Sequence, residues 1–447
     1  MNHKLTLVGV ALALTPLALD AQWKRSYPAV EGYDHQIYLE GYELPVMTGG
    51  PMDPAPAPDG RHVAFAAKGW LWLLDTESGN ARRITDSGGM DSRPEWSPDG
   101  NRLVFVRDLR SHFAIVMVRP DSGEETVLVD VEAISLDPVF GPDGRHVFYA
   151  SSESGPFELW RVSIDTLERQ RLSDSPRVER RTTKRRPQIV DPDSLLVYLY
   201  KQNYYDAIEL LNIRTGARSV LAQDRIAPQA DLSLSPDGRH LAYTWPNDED
   251  GHDLRLMALA DTSSSVLLTR GDGLPLAPQF SSDGQWVYFA EADDDERTHL
   301  KRISIGGGAV ESLRISSWDW GARTGKLTIR TVIDGEPGPV RISVVDESGH
   351  PLIPERGLVH FEGQHQRVFF YADGVIELTA PQGEVTISAV HGFETPEVTA
   401  EATIRGRKSE VTLDLARVWD PSEDGWYAAE NHFHLNYGGH LRLDPID

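Results

Sequence analysis

The chain has 447 residues, a formal charge of -24 and no cysteine. Its length allows two or three domains with sizeable cores. The acidity argues against nucleic acid and anionic membrane surfaces as main partners, because a phosphate backbone would be repelled. The lack of cysteine excludes disulfides and thiol catalysis, and it fits an oxidising compartment.

Residues 1–21 read as a secretory signal peptide. Lys4 supplies the positive start, residues 5–19 are largely apolar up to the break at Thr15-Pro16, and Ala21 offers a small residue before a cut. The run is too short for a stable membrane span. No later stretch reaches about 18 apolar residues, so the mature chain is expected to be soluble, with no membrane span. The expected location is the periplasm of a Gram-negative bacterium, or the exterior.

A turn then recurs. Pro-Asp-Gly stands at residues 58–60, 98–100, 142–144 and 236–238, with worn copies at Ser282-Asp283-Gly284 and Pro192-Asp193-Ser194. The period is roughly 40 to 50 residues, the mark of a repeat architecture. In such a turn proline presets φ, aspartate bonds its own backbone, and glycine takes the left-handed position. In the second repeat a strand over 101–107 alternates Leu103 and Phe105 against Val104 and Val106, as a strand buried on both faces does. Strands over 113–118 and 126–129 follow, and the first repeat has the same order. Each unit is then a four-stranded antiparallel sheet that cannot bury both faces alone. Packing six around an axis buries them, which predicts a six-bladed β-propeller over 53–315. In the mixed segment 22–52, a strand would close the ring by pairing with the last blade.

Proline sets a second register. Pro54, Pro94, Pro138 and Pro278 lie five residues before the turn aspartate and Pro187 six before, with Leu232 in that place in the fifth repeat. Proline cannot donate to a sheet ladder, so it suits the innermost edge strand, beside the channel. The residues just before this register are Asp53, Arg93, Asp137, Arg186, Asp231 and Ala277. Such acids and arginines either hold a polar small molecule or the end of a peptide at the channel mouth, or pair with one another. The basic run 177–186 reads as a solvated loop, and the acidic runs 248–253 and 293–296 as exposed hairpin tips. Trp70, Trp72, Trp96 and Trp160 read as blade packing.

The repeated Pro-x-(Trp/Phe)-Ser-Pro-Asp-Gly followed by an apolar strand resembles the TolB-like WD40-type propeller repeat, over about residues 50–315. The fold class expected is all-β: this propeller, a small β-sandwich, and the start of a truncated α/β metallohydrolase domain. Residues 316–325 read as a linker. Over 326–416, β-like runs at 326–332, 340–346, 367–372, 375–379, 384–390 and 409–415 alternate with turns, which suggests the sandwich. Its pattern resembles a carboxypeptidase-regulatory-like domain.

The last segment, 417–447, contains Trp426-Tyr427-Ala428-Ala429-Glu430-Asn431-His432-Phe433-His434-Leu435-Asn436-Tyr437-Gly438-Gly439-His440. On a strand, His432 and His434 point to one side, a geometry that suits a divalent metal. The stretch resembles the first metal motif of the CehA/McbA-like metallohydrolases in the polymerase-and-histidinol-phosphatase superfamily. Glu430-Asn431 departs from the usual Asp and apolar residue. The resemblance implies a zinc, manganese or iron site, with metal-bound water cleaving an ester, amide or carbamate-like bond. Only 13 residues follow His434, so the chain reads as the front part of such an enzyme, inactive alone. The alternative is a non-catalytic periplasmic module whose propeller holds a peptide, glycan or protein. No Gly-x-Ser-x-Gly elbow supports a serine hydrolase.

Overall fold

The computed structural model describes residues 27–31, 47–175, 182–191, 195–202, 205–224, 230–247, 251–270, 273–293, 297–362 and 367–427. No helix occurs among them. None is therefore long and apolar enough to cross a membrane.

Six antiparallel four-strand sheets follow one another along the chain up to Ser312. Their innermost strands are Met52–Pro56, Met90–Trp96, Ser135–Phe140, Thr183–Asp191, Leu232–Leu234 and Leu276–Phe280. Each touches the next, and the sixth returns to the first, so the six blades surround one axis.

The turn chemistry drives this repetition. Ser97 Oγ donates to Asp99 Oδ1 at 2.5 Å, and that oxygen accepts the Asn101 amide at 3.1 Å. Gly100 takes φ 70°, a region where a Cβ is disfavoured. Ser235 with Asp237 and Ser281 with Asp283 repeat the same hydroxyl-to-carboxylate bond. Between turns, both faces of a strand are covered. Leu103 and Phe105 pack with Ala64 and Leu71 of the first blade, while Val104 and Val106 pack with Val147 and Tyr149 of the third.

The first sheet carries a fifth strand that the linker reading of 316–325 did not foresee. Ser317–Asp319 pairs in parallel with its outer strand, Asn80–Arg83. Trp318 stands edge-on to Phe65 and Trp72, at 5.7 and 4.7 Å between ring centroids, and Trp320 stands edge-on to Trp70 and Trp72. Within the expected closing segment, residues 27–31 pack elsewhere. Tyr27 lies against Phe113 and donates to Asp108 at 2.8 Å, and the Glu31 amide bonds Gly155 in the third blade. Residues 32–46 lie outside the described residues. The sixth blade meets the first through side-by-side strand packing and a bond from Ser282 Oγ to the Pro58 carbonyl, 3.2 Å.

Beyond the propeller, two sheets face each other. In one, Thr324–Ile333 lies between Val375–Pro381 and the parallel Lys408–Leu415. The other is centred on Pro339–Asp346, Arg367–Asp373 and Gly383–Val390, flanked by His360–Glu362 and Val398–Ile404. Leu327, Ile329 and Leu413 meet Ile342, Phe370 and Ile387 in their common core. That core is continuous with Trp70 and Trp72, so these two tryptophans join the propeller to the sandwich as well as packing a blade. His350 seals the joint: it stacks on Trp70 at 3.7 Å, with ring nitrogens 3.0 Å from the Gly89 and Lys68 carbonyls. Burial pulls the His350 imidazole below the ordinary histidine range, against the opposing pull of those carbonyls.

Candidate functional site

A small cavity of about 40 Å³, open at its mouth, sits on the axis among the innermost strands. Its lining brings together Asp53, Arg93, Asp137, Arg186 and Asp231, the five residues singled out by the proline register, with Ala277 in the sixth blade.

Local backbone explains the convergence. Asp53, Arg93, Asp137, Arg186 and Ala277 have φ of 50, 53, 56, 53 and 49°. Each precedes a proline, and each lies where the pairing of its strand shifts register. A proline gives no N–H to the ladder, so the strand bulges there, and a bulge re-aims a side chain. The fifth blade has Leu232 in place of proline. It shows no such shift, and its inner strand is only three residues long.

Ion pairs run around this ring. The Arg93 amide donates to Asp53 Oδ2 at 3.0 Å, and the Arg93 guanidinium pairs with Asp137. Asp137 also takes Arg185 Nε at 2.5 Å and the Arg186 amide at 3.1 Å. Arg186 then reaches Asp231 Oδ2 at 2.5 Å. Burial works to raise the Asp137 carboxyl, but Arg185, Arg93 and Arg186 outweigh it and hold the group far below the usual range. Asp231 goes the other way: burial raises it, and Arg186 offsets only part. Burial, with Arg186 nearby, lowers Arg93 to about 10.

A second layer, two residues further along the strands, was not visible in sequence. Gln279 of the sixth blade donates to Glu95 of the second, spanning the first blade, which has only the Ala55 methyl at that level. Ser233 donates to Gln279 at 2.7 Å, and Gln188 accepts the Leu234 amide at 2.9 Å. Burial pushes the Glu95 carboxyl up to about 8, against the pull of its Gln279 bond.

The basic run is no solvated loop where it is described. Lys184, Arg185 and Arg186 belong to the inner strand of the fourth blade, and Lys184 pairs with buried Glu158 at 2.9 Å. Arg177, Arg180 and Arg181 lie outside the described residues, as do 248–250 and 294–296 of the two acidic runs. Of the rest, Asp293 is exposed, but His252 and Asp253 are buried at the start of the strand His252–Ala258, so the run 248–253 is not an exposed tip throughout. His432 and His434 also lie outside them. Among the described residues no three His, Asp or Glu side chains group as a metal site.

Residues 30–203 match the family model of the TolB β-propeller domain. The Tol-Pal system protein TolB of Bordetella parapertussis is 37% identical over 148 residues, covering 23% of this chain and 33% of that protein. An uncharacterized peptidase, YuxL of Bacillus subtilis, is 22% identical over 210 residues, 43% of this chain and 29% of its own length. The crystal structure of TolB from Acinetobacter baumannii superposes with a TM-score of 0.46 at 19% identity, covering 63% of this chain and 69% of that one. The chain spans less than half the length of the curated relatives it matches. It carries a TolB-like β-propeller domain, with a fold related to TolB and to peptidase propellers.

Proposed function

We propose that this chain is an exported binding module whose propeller, over 53–315, holds a polar group of a peptide or protein partner at the channel mouth. The sandwich over 326–416 braces the first blade and presents the ring. One observation carries the reading: five charged side chains from five blades meet at one cavity, four of them on left-handed backbone. Strain of that kind persists where the surroundings over-determine it, often at ligand sites. The signal-like N-terminus supports the periplasm or the exterior as its location. The test is a tryptophan reporter, Val139→Trp, placed in the cavity wall and titrated with pools of short peptides. A saturable fluorescence change supports the reading. No change with any pool, in a variant whose circular dichroism matches the wild type, overturns it.

The motif around His432 and His434 favours a second reading, the front part of a metal-dependent hydrolase. Two imidazoles fall short of the three protein ligands a catalytic zinc needs, and the described residues supply no further set. No catalytic step follows from them. Metal content of the purified chain, beside a His432→Ala/His434→Ala variant, tests this reading. Near-stoichiometric metal lost in the variant supports it, and equal, trace content in both removes it for this chain.

A further inference from the structure

The charge ring is open at one blade. Its order around the axis is acid, base, acid, base, acid, alanine: Asp53, Arg93, Asp137, Arg186, Asp231, Ala277. The four junctions between the five charged residues are bridged by the contacts given above. At the two junctions beside Ala277 a methyl group stands between Asp231 and Asp53 in the lining, so among the described residues the position that continues the alternation has no base. The ring is also lopsided. Three guanidinium groups, of Arg93, Arg185 and Arg186, converge on Asp137, while Asp231 and Asp53 flank the gap. Glu95 adds a further carboxyl group to the same cavity, with the neutral amide of Gln279 as its bonded partner.

Resting on the channel reading above, we propose that a guanidinium or alkylammonium group of a partner peptide takes the vacant base position over Ala277, between Asp231 and Asp53. Arg186 already shows how the ring accepts such a group, since its guanidinium bridges Asp137 and Asp231 of the blades on either side. A cation there completes the alternation and meets, at Asp231, a carboxylate already stripped of much of its water, where charge-assisted bonds are strongest. Ala277 puts only a methyl group in the cavity lining, and its φ of 49° keeps the strand in the same bulged path as its charged counterparts. The net charge of -24 draws cations toward the mouth. The cation has two sources in a peptide, an Arg or Lys side chain and the amino terminus.

Calorimetry on the full chain separates them. The probes are N-acetyl-arginine amide for the side chain, glycinamide for the amino terminus, N-acetyl-glycinamide as neutral control and N-acetyl-aspartate amide as acidic control. At least one cationic probe binds and the neutral one does not. Asp53→Asn weakens that binding about tenfold, the loss of one charge-assisted contact. Ala277→Arg supplies the base from within, abolishes binding and raises Tm. If Ala277→Arg fails to fold, Asp53→Asn decides alone, and binding that it leaves unchanged overturns the proposal. Binding of the acidic probe but neither cationic one overturns the cation assignment and leaves the channel reading standing. Binding of no probe overturns both.

Discussion

Glu95 carries the clearest cost at the level of single residues. A carboxylate held among packed strands with an amide as its partner loses hydration without gaining a counter-charge. Its carboxyl rises to about 8 in the folded chain, against an ordinary value of 4.5. Between those values the folded chain keeps a proton that the unfolded chain has lost. Stability therefore falls as pH rises from about 4.5 to about 8, and is flat beyond. Glu95→Gln keeps the shape and removes the titration. Chemical denaturation at about pH 9 is expected to show the variant more stable by roughly 2 kcal/mol, less than the whole shift because the side chain opens on the cavity. At about pH 5 the two proteins are expected to match. Equal stability at both pH values contradicts this account of Glu95. The ring residues themselves were legible, because proline marks the place where the ladder must break. Glu95 and Gln279 were not. The bulge between Ser92 and Glu95 interrupts the period of two, so counting along the strand no longer tells which side faces the axis.

Elements differ in how openly the sequence announces them. The hairpins are local: serine, aspartate and glycine of one turn bond one another, so Pro-Asp-Gly alone places them. The added strand of the first sheet is not local. Ser317–Asp319 is three residues long, and its partner lies 237 positions away. Its hold on the blade comes from tryptophan edges, with Trp318 against Phe65 and Trp72. Trp318→Ala is expected to cost roughly 2–4 kcal/mol and lower Tm. Trp419→Ala, at a site 47% exposed, is expected to stay within about 0.5 kcal/mol of wild type. Equal losses in both variants would remove the strand from the account of how the first blade is secured.

At the scale of the molecule, the repeat made the propeller readable and the turn spacing made the sandwich readable. The joint between them was not, because it depends on side chains far apart in sequence. His350 lies between carbonyls of Lys68 and Gly89, 282 and 261 positions away. The shared core of Trp70, Trp72, Leu327 and Ile342 makes each part the lid of the other. Unfolding either one strips apolar surface from its partner, which couples the two. Scanning calorimetry is expected to give a single transition for the chain. Two well-separated transitions would show that the parts stand independently.

The binding reading of the whole molecule turns on the proposed place for a cation over Ala277. The most direct measurement is a crystal structure of the full chain grown with arginine amide, in a form whose channel mouth is free of lattice contacts. The expected result is a guanidinium beside Ala277, bonded to the carboxylates of Asp231 and Asp53, with the Arg93–Asp137–Arg186 pairs undisturbed. An empty gap, or the ligand seated on the arginine side of the ring, would contradict it.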